Sequence, residues 1–114
     1  PNDANANNGL ANILGMQGRY DDAIEYGRRA IALSWNYRAA YFDLGIAYFR
    51  KLQRLGNSEE WFDLYEKAVL TLEQAYDLAE SSQDAAAKED SQRKIRRLLR
   101  DLKRLWRRHK LLYE

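Results

Sequence analysis

Few side chains of this 114-residue chain could perform chemistry, and they do not form a catalytic set. The chain has one histidine, His109, no cysteine and no glycine-rich phosphate loop. Asp21, Asp22 and Glu25 are close enough in sequence to suggest a metal site. Carboxylates at the start of a helix, however, are stabilised there by free backbone amides and by the helix macrodipole. We therefore predict a protein that is not an enzyme, with no catalytic residues, no metal and no cofactor.

Two other groups of side chains are better suited to contact a ligand. They are the asparagines Asn5, Asn8 and Asn12, and the apolar residues Phe42, Ile46 and Phe49 with Arg50 at their edge. Both groups recur at the three- or four-residue spacing of one helix face. Side-chain amides can hydrogen-bond an extended peptide, and apolar side chains can pack against a peptide or a helix. The alternative is that the asparagines are solvated or cap helices, and that a neighbouring helix buries the apolar group.

Five helices are expected to position these residues. A content of 46% apolar residues with a single Pro and six Gly is typical of a helical globular protein, and the length fits one domain, 1–114. No stretch approaches the ~20 apolar residues that cross a bilayer. Helical spacing and the capping and stop signals predict helices at about 3–17, 21–34, 38–55, 58–80 and 84–112.

Two segments of the chain superimpose at a spacing of 34 residues. The residues that recur are Leu10, Ala11 and Leu14 in the first segment, and Leu44, Gly45 and Tyr48 in the second. A fixed period of this length indicates stacked helix pairs. Further along, Ala23 and Ala30 recur as Ala68 and Ala75 at a spacing of 45. The extra 11 residues are close to three helical turns, so we expect a longer second hairpin.

These positions resemble the repeat signature of the tetratricopeptide (TPR) family. The resemblance rests on Gly18, Tyr20, Ala23 and Ala30 in the first unit and on Tyr41, Leu44, Gly45 and Tyr48 in the second. The chain departs from the signature at Asn7 and Gly27, where the family has aromatic residues, and at Trp35, where it has proline. The lysine of the family's carboxylate-gripping grooves is also absent.

The resemblance implies an all-α fold of antiparallel helix pairs in a short right-handed superhelix. A first repeat would cover 4–37, an elongated second repeat 38–81, and a long closing helix 84–112. The concave groove would carry the asparagine and aromatic groups and bind a protein or peptide partner. Residues 1–3 resemble the end of a preceding repeat, so the resemblance also implies a fragment of a longer array.

The closing helix is strongly basic. Residues 88–114 hold 11 basic and 4 acidic side chains, a net charge of +7, whereas residues 1–87 hold 8 and 13, a net charge of −5. Leu98, Leu102, Leu105 and Trp106 form an apolar stripe on the same helix. This stripe could close the array, dock a partner helix or form a homo-oligomer. The basic face could instead bind nucleic acid or an anionic membrane.

Acidic residues on the preceding helix favour pairing within the chain. Glu59, Glu66, Glu73 and Glu80 recur every seven residues. A hairpin turn at 81–84 would lay these glutamates beside the basic helix. We therefore predict that the basic helix packs intramolecularly and disfavour nucleic-acid and membrane binding, with self-association through the apolar stripe as the alternative function. The sequence leaves the cellular compartment open.

Overall fold

A computed structural model describes residues 2–113, and within that range the chain forms five α-helices and no strand. Pro1, which belongs to the segment expected to end a preceding repeat, lies outside the described residues. The predicted all-α class and the five helices are confirmed. The helices are α1 (Ala4–Met16), α2 (Tyr20–Leu33), α3 (Arg38–Arg54), α4 (Glu60–Glu80) and α5 (Ala85–Tyr113).

Short-range hydrogen bonds and one glycine set the helix ends. The carboxylate of Asp3 accepts a bond of 3.0 Å from a backbone amide in the first turn of α1. Asp84 accepts two such bonds, of 3.0 and 3.2 Å, at the start of α5. The hydroxyl of Ser58 accepts a bond of 3.2 Å from the first amide of α4. Gly18 follows α1 with φ of +78°, a conformation that commonly terminates helices.

Each helix packs on the next one along the chain. In addition, α1 contacts α3 and α3 contacts α5, so that the three odd-numbered helices lie side by side. Helix α3 therefore contacts all four other helices. The second antiparallel pair is the longer one, because α3 has 17 residues against 13 in α1 and α4 has 21 against 14 in α2.

Two glycines allow α3 to approach its neighbours closely. Gly27 of α2 faces Leu44 of α3, and a Cβ placed on this glycine would lie 3.1 Å from the leucine Cδ1. Gly45 of α3 faces Leu72 of α4, and a Cβ there would lie 2.6 Å from the leucine Cγ. Each leucine thus occupies the space that a side chain on the glycine would need. Buried alanines extend these close contacts at Ala23, Ala30, Ala40, Ala68 and Ala75.

The core lies between α3, α4 and α5. Its fully buried large side chains include Leu52, Trp61, Leu72, Ile95 and Leu102. At the far end of α5, the imidazole of His109 stacks on the indole of Trp61, with ring centroids 3.9 Å apart and planes 11° from parallel. This contact attaches the end of α5 to the start of α4. No helix of the described residues is long and apolar enough to cross a membrane.

Alanine substitutions at two helical glycines should act in opposite directions. Gly45→Ala should lower the free energy of unfolding by about 1–3 kcal/mol, because overlap with Leu72 outweighs the improved helix propensity. Gly9→Ala should raise it by about 0.5–1 kcal/mol, because a Cβ at Gly9 meets no atom within 4 Å. Urea denaturation of both variants measures the difference. Equal effects at the two positions would contradict the close approach of α3 and α4.

Candidate partner-binding surface

The odd-numbered helices form two grooves on one face of the molecule. The groove between α1 and α3 has a volume of about 330 Å³, and the groove between α3 and α5 about 320 Å³. Ile46 and Arg50 of α3 line both. The two grooves are therefore parts of one surface with α3 at its centre. We call this the α1–α3–α5 surface. The first groove also contains Ala11, Asn12, Gly15, Met16, Asp43 and Ala47, and the second Phe42, Phe49, Lys94, Arg97, Leu98 and Asp101.

Asparagine side chains of α1 bond to Asp43 of α3 across the first groove. Asn12 Nδ2 donates to Asp43 Oδ2 at 3.2 Å, and Asn8 Nδ2 donates to the same oxygen at 3.4 Å and to the hydroxyl of Tyr37 at 3.3 Å. Asn8 is only 6% exposed, so its amide holds α1 to α3. Asn12 remains exposed at the groove. Asn5 is exposed in the first turn of α1 and lines neither groove.

The environment of Asp43 shifts the acidity of its carboxyl group. Burial is the largest influence and raises the pKa above the ordinary value of 3.8. The hydrogen bonds from Asn12 and Asn8 and the charge of Arg38 oppose this rise without cancelling it. Ionisation of Asp43 in the first groove therefore carries a cost to stability. The sequence pattern identified the asparagines but did not show that Asp43 and Tyr37 bind them.

The apolar residues of α3 form the second groove. Phe42 and Phe49 pack against the core on one side and line the groove on the other, so they are half-buried. Leu98 of α5 forms part of the opposite wall. The neighbouring helix thus covers these aromatic rings in part and leaves the rest accessible. Arg50 and Arg97 border the groove, and neither has an ion pair among the described residues.

The stripe expected to form a helix interface on α5 packs within the chain. Leu102 is fully buried, and Leu98, Leu105 and Trp106 are half-buried against the core. No surface of Leu102 is left for a partner in this conformation. Lys110 covers one face of the Trp106 ring, with Nζ 4.5 Å from the ring centroid.

The expected charge pairing between α4 and α5 is found at one glutamate. Glu80 pairs with Lys88 at 2.8 Å and accepts from Gln92 at 2.6 Å. These two hydrogen bonds, that from Lys88 first, lower the pKa of Glu80. Glu66 and Glu73 are exposed, and within residues 2–113 they form no ion pair with α5. The seven-residue spacing of the glutamates defined one face of α4, but it did not show how that face is oriented relative to α5.

The acidic residues considered as metal ligands pair with cations. Asp22 pairs with Arg19 at 2.6 Å, and Glu25 with Arg29 at 3.1 Å. The third carboxylate, Asp21, reaches Lys51 of α3 at 2.6 Å. These ion pairs account for the cluster as helix-surface and inter-helix contacts. The part of the chain that the structure describes contains no group of three residues placed to hold a metal ion.

Comparison with known proteins gives no family for the chain. No family model matches it, and a search of curated proteins finds no match. Its function must therefore be argued from the geometry of the α1–α3–α5 surface.

Replacement of Asp43 should change how stability depends on pH. Because the folded-state pKa of Asp43 is raised, the folded chain binds more protons than the unfolded chain between 3.8 and the folded pKa. Stability attributable to Asp43 therefore falls as pH rises through that window. Asp43→Asn removes this dependence.

Urea denaturation at a series of pH values measures the effect. Relative to Asp43→Asn, the wild type should lose stability as the pH rises above about 4, until Asp43 is ionised in the folded chain. A wild type that gains stability relative to the variant over this range would contradict the raised pKa. Asp63→Asn, on the exposed side of α4, is the control.

Proposed function

We propose that this protein is a non-enzymatic scaffold of the TPR type, which binds a segment of another protein along the α1–α3–α5 surface. The helix order supports this proposal. In a TPR array, the first helices of successive pairs lie side by side and line a concave groove. Here α1 contacts α3 and α3 contacts α5, as such an arrangement requires, and residues of the 34-residue repeat, such as Leu44 and Gly45, are buried. On this proposal the helix pairs form a short right-handed superhelix.

The observation that carries the proposal is the continuity of the two grooves at Ile46 and Arg50. An extended segment or a helix lying across α3 would contact both grooves at once. At one end it would meet the exposed amide of Asn12, and at the other the accessible sides of Phe42 and Phe49. Such a surface offers hydrogen bonds to a peptide backbone together with an apolar site for anchor side chains.

The charges at the groove edge indicate which segments would bind best. Arg50 and Arg97 lie on either side of the second groove, and neither forms an ion pair within residues 2–113. A carboxylate on the partner could bind one of these guanidinium groups in a bidentate pair. Asp43 and Asp101 lie near the ends of the surface and would disfavour an acidic residue there. The proposed ligand is a partly apolar segment with one or two acidic residues near its anchor.

Selection of peptides tests the proposal without a known partner. A phage-displayed library of random peptides is panned on the wild-type protein, and the affinities of enriched peptides are measured by fluorescence polarisation. Ile46→Ala should weaken binding by about tenfold or more, equivalent to about 1.4 kcal/mol, because this side chain lines both grooves.

Leu70→Ala is the matched control. Leu70 is 57% exposed on α4, and lines neither groove. The Leu70→Ala substitution should leave the affinities of the enriched peptides unchanged. Circular dichroism confirms that both variants remain helical. Peptides that bind wild type and Ile46→Ala equally well, or a library from which no peptide is enriched, would contradict the proposal.

A further inference from the structure

The solvent-facing side of α5 carries a stripe of five arginines. Successive residues of an α-helix are 100° apart, which places these five within about 100° of one another. Buried Ile95 and Leu102 lie on the opposite side of the helix. All five arginine side chains are exposed. The arginine stripe consists of Arg97, Arg100, Arg104, Arg107 and Arg108.

The stripe differs from the first half of α5 in having few acidic partners among the described residues. In the first half of the helix, Arg93 and Lys94 both pair with Asp90, at 2.8 and 3.0 Å, and Arg96 pairs with Glu89 at 2.9 Å. Within the stripe, Arg104 alone among the described residues has a carboxylate within 4.0 Å, that of Asp101. The other four stripe arginines form no ion pair within the described residues.

Two interactions within the chain could offset the repulsion between the stripe arginines, but neither is sufficient. The negative end of the helix macrodipole stabilises cations in the last turn, but this effect does not reach Arg97 or Arg100 in the middle of α5. Pairing with α4 would be the other compensation. Beyond Glu80, however, the glutamates of α4 are not paired with α5 among the described residues. The stripe thus concentrates like charges that repel one another at spacings of three and four residues.

We propose that the arginine stripe binds the phosphate backbone of a nucleic acid. From Arg97 to Arg108 the stripe is about 16 Å long, at 1.5 Å per residue. A duplex carries one phosphate per about 1.7 Å of its axis when both strands are counted, so a stretch of this length offers enough phosphates for all five arginines. The planar guanidinium group binds phosphate oxygens in bidentate pairs. The site reads no base sequence, and it lies on α5 outside the groove between α1 and α3.

The same geometry argues against a membrane surface as the ligand. A helix that lies in a membrane interface must bury its apolar face in the lipid. In α5 that face is packed against the core, with Ile95 and Leu102 fully buried. The net charge of −5 on residues 1–87 also confines a polyanion to α5. A nucleic-acid backbone requires only the exposed charges.

Fluorescence anisotropy with labelled oligonucleotides tests this inference. The probes are a duplex DNA of about 20 base pairs, the corresponding duplex RNA and one single strand. For five phosphate contacts, the slope of log K against log salt should be about −4.5, and affinity should fall about 500-fold between about 50 and 200 mM salt. Tighter binding to the DNA or the RNA probe identifies which polymer the stripe prefers, and either result supports the proposal.

Two triple variants separate the stripe from overall charge. Arg100→Gln/Arg107→Gln/Arg108→Gln removes three stripe charges and should reduce the magnitude of the salt slope by about 2.7. Arg19→Gln/Arg28→Gln/Arg29→Gln removes the same charge from exposed residues around α2 and should leave the slope unchanged. The proposal would be overturned if the two variants reduced the salt slope equally, or if the wild type did not bind the oligonucleotides at low salt. So would binding to phosphatidylserine vesicles that is tighter than binding to every oligonucleotide. Circular dichroism verifies that both variants are folded.

Discussion

The close contact between α3 and its neighbours is the constraint on which the rest of the structure depends. Leu44 of α3 fits against Gly27 of α2, and Leu72 of α4 fits against Gly45 of α3. A Cβ in place of the hydrogen of Gly45 would overlap Leu72, and a Cβ on Gly27 would lie in tight contact with Leu44. Together the two contacts place α3 between the two neighbouring helices, from which it also reaches α1 and α5.

Because α3 is central, it presents one side to the core and another to the candidate binding surface. Leu44, Tyr48 and Leu52 are buried on the first side, while Ile46 and Arg50 line grooves on the second. The proposed scaffold function and the fold therefore depend on the same helix. The arginine stripe, by contrast, shares Arg97 with that surface, but its members Arg100, Arg107 and Arg108 line neither groove and depend on α5 being held by its buried face. The two proposed binding activities can consequently be tested separately.

Local signals in the sequence predicted the helices, because caps, stops and apolar spacing act within a few residues. The 34-residue period also identified positions that are buried, such as Ala11, Leu44 and Gly45. Contacts between helices were harder to predict. The pattern placed Asn8 and Asn12 on one face, but which of them is buried depends on how α1 is rotated against α3. Likewise, the spacing of glutamates on α4 could not show that Glu80 alone would pair with α5.

The central claim is that the α1–α3–α5 surface binds a protein segment, and an NMR titration with a selected peptide tests it most directly. In heteronuclear spectra of the labelled protein, signals of the groove residues Asn12, Ile46 and Leu98 should shift with a single saturation curve. Signals of exposed residues on α4, such as Leu70, should remain in place. Shifts confined to α2 and the outer side of α4, with the groove residues unchanged at saturation, would contradict the account.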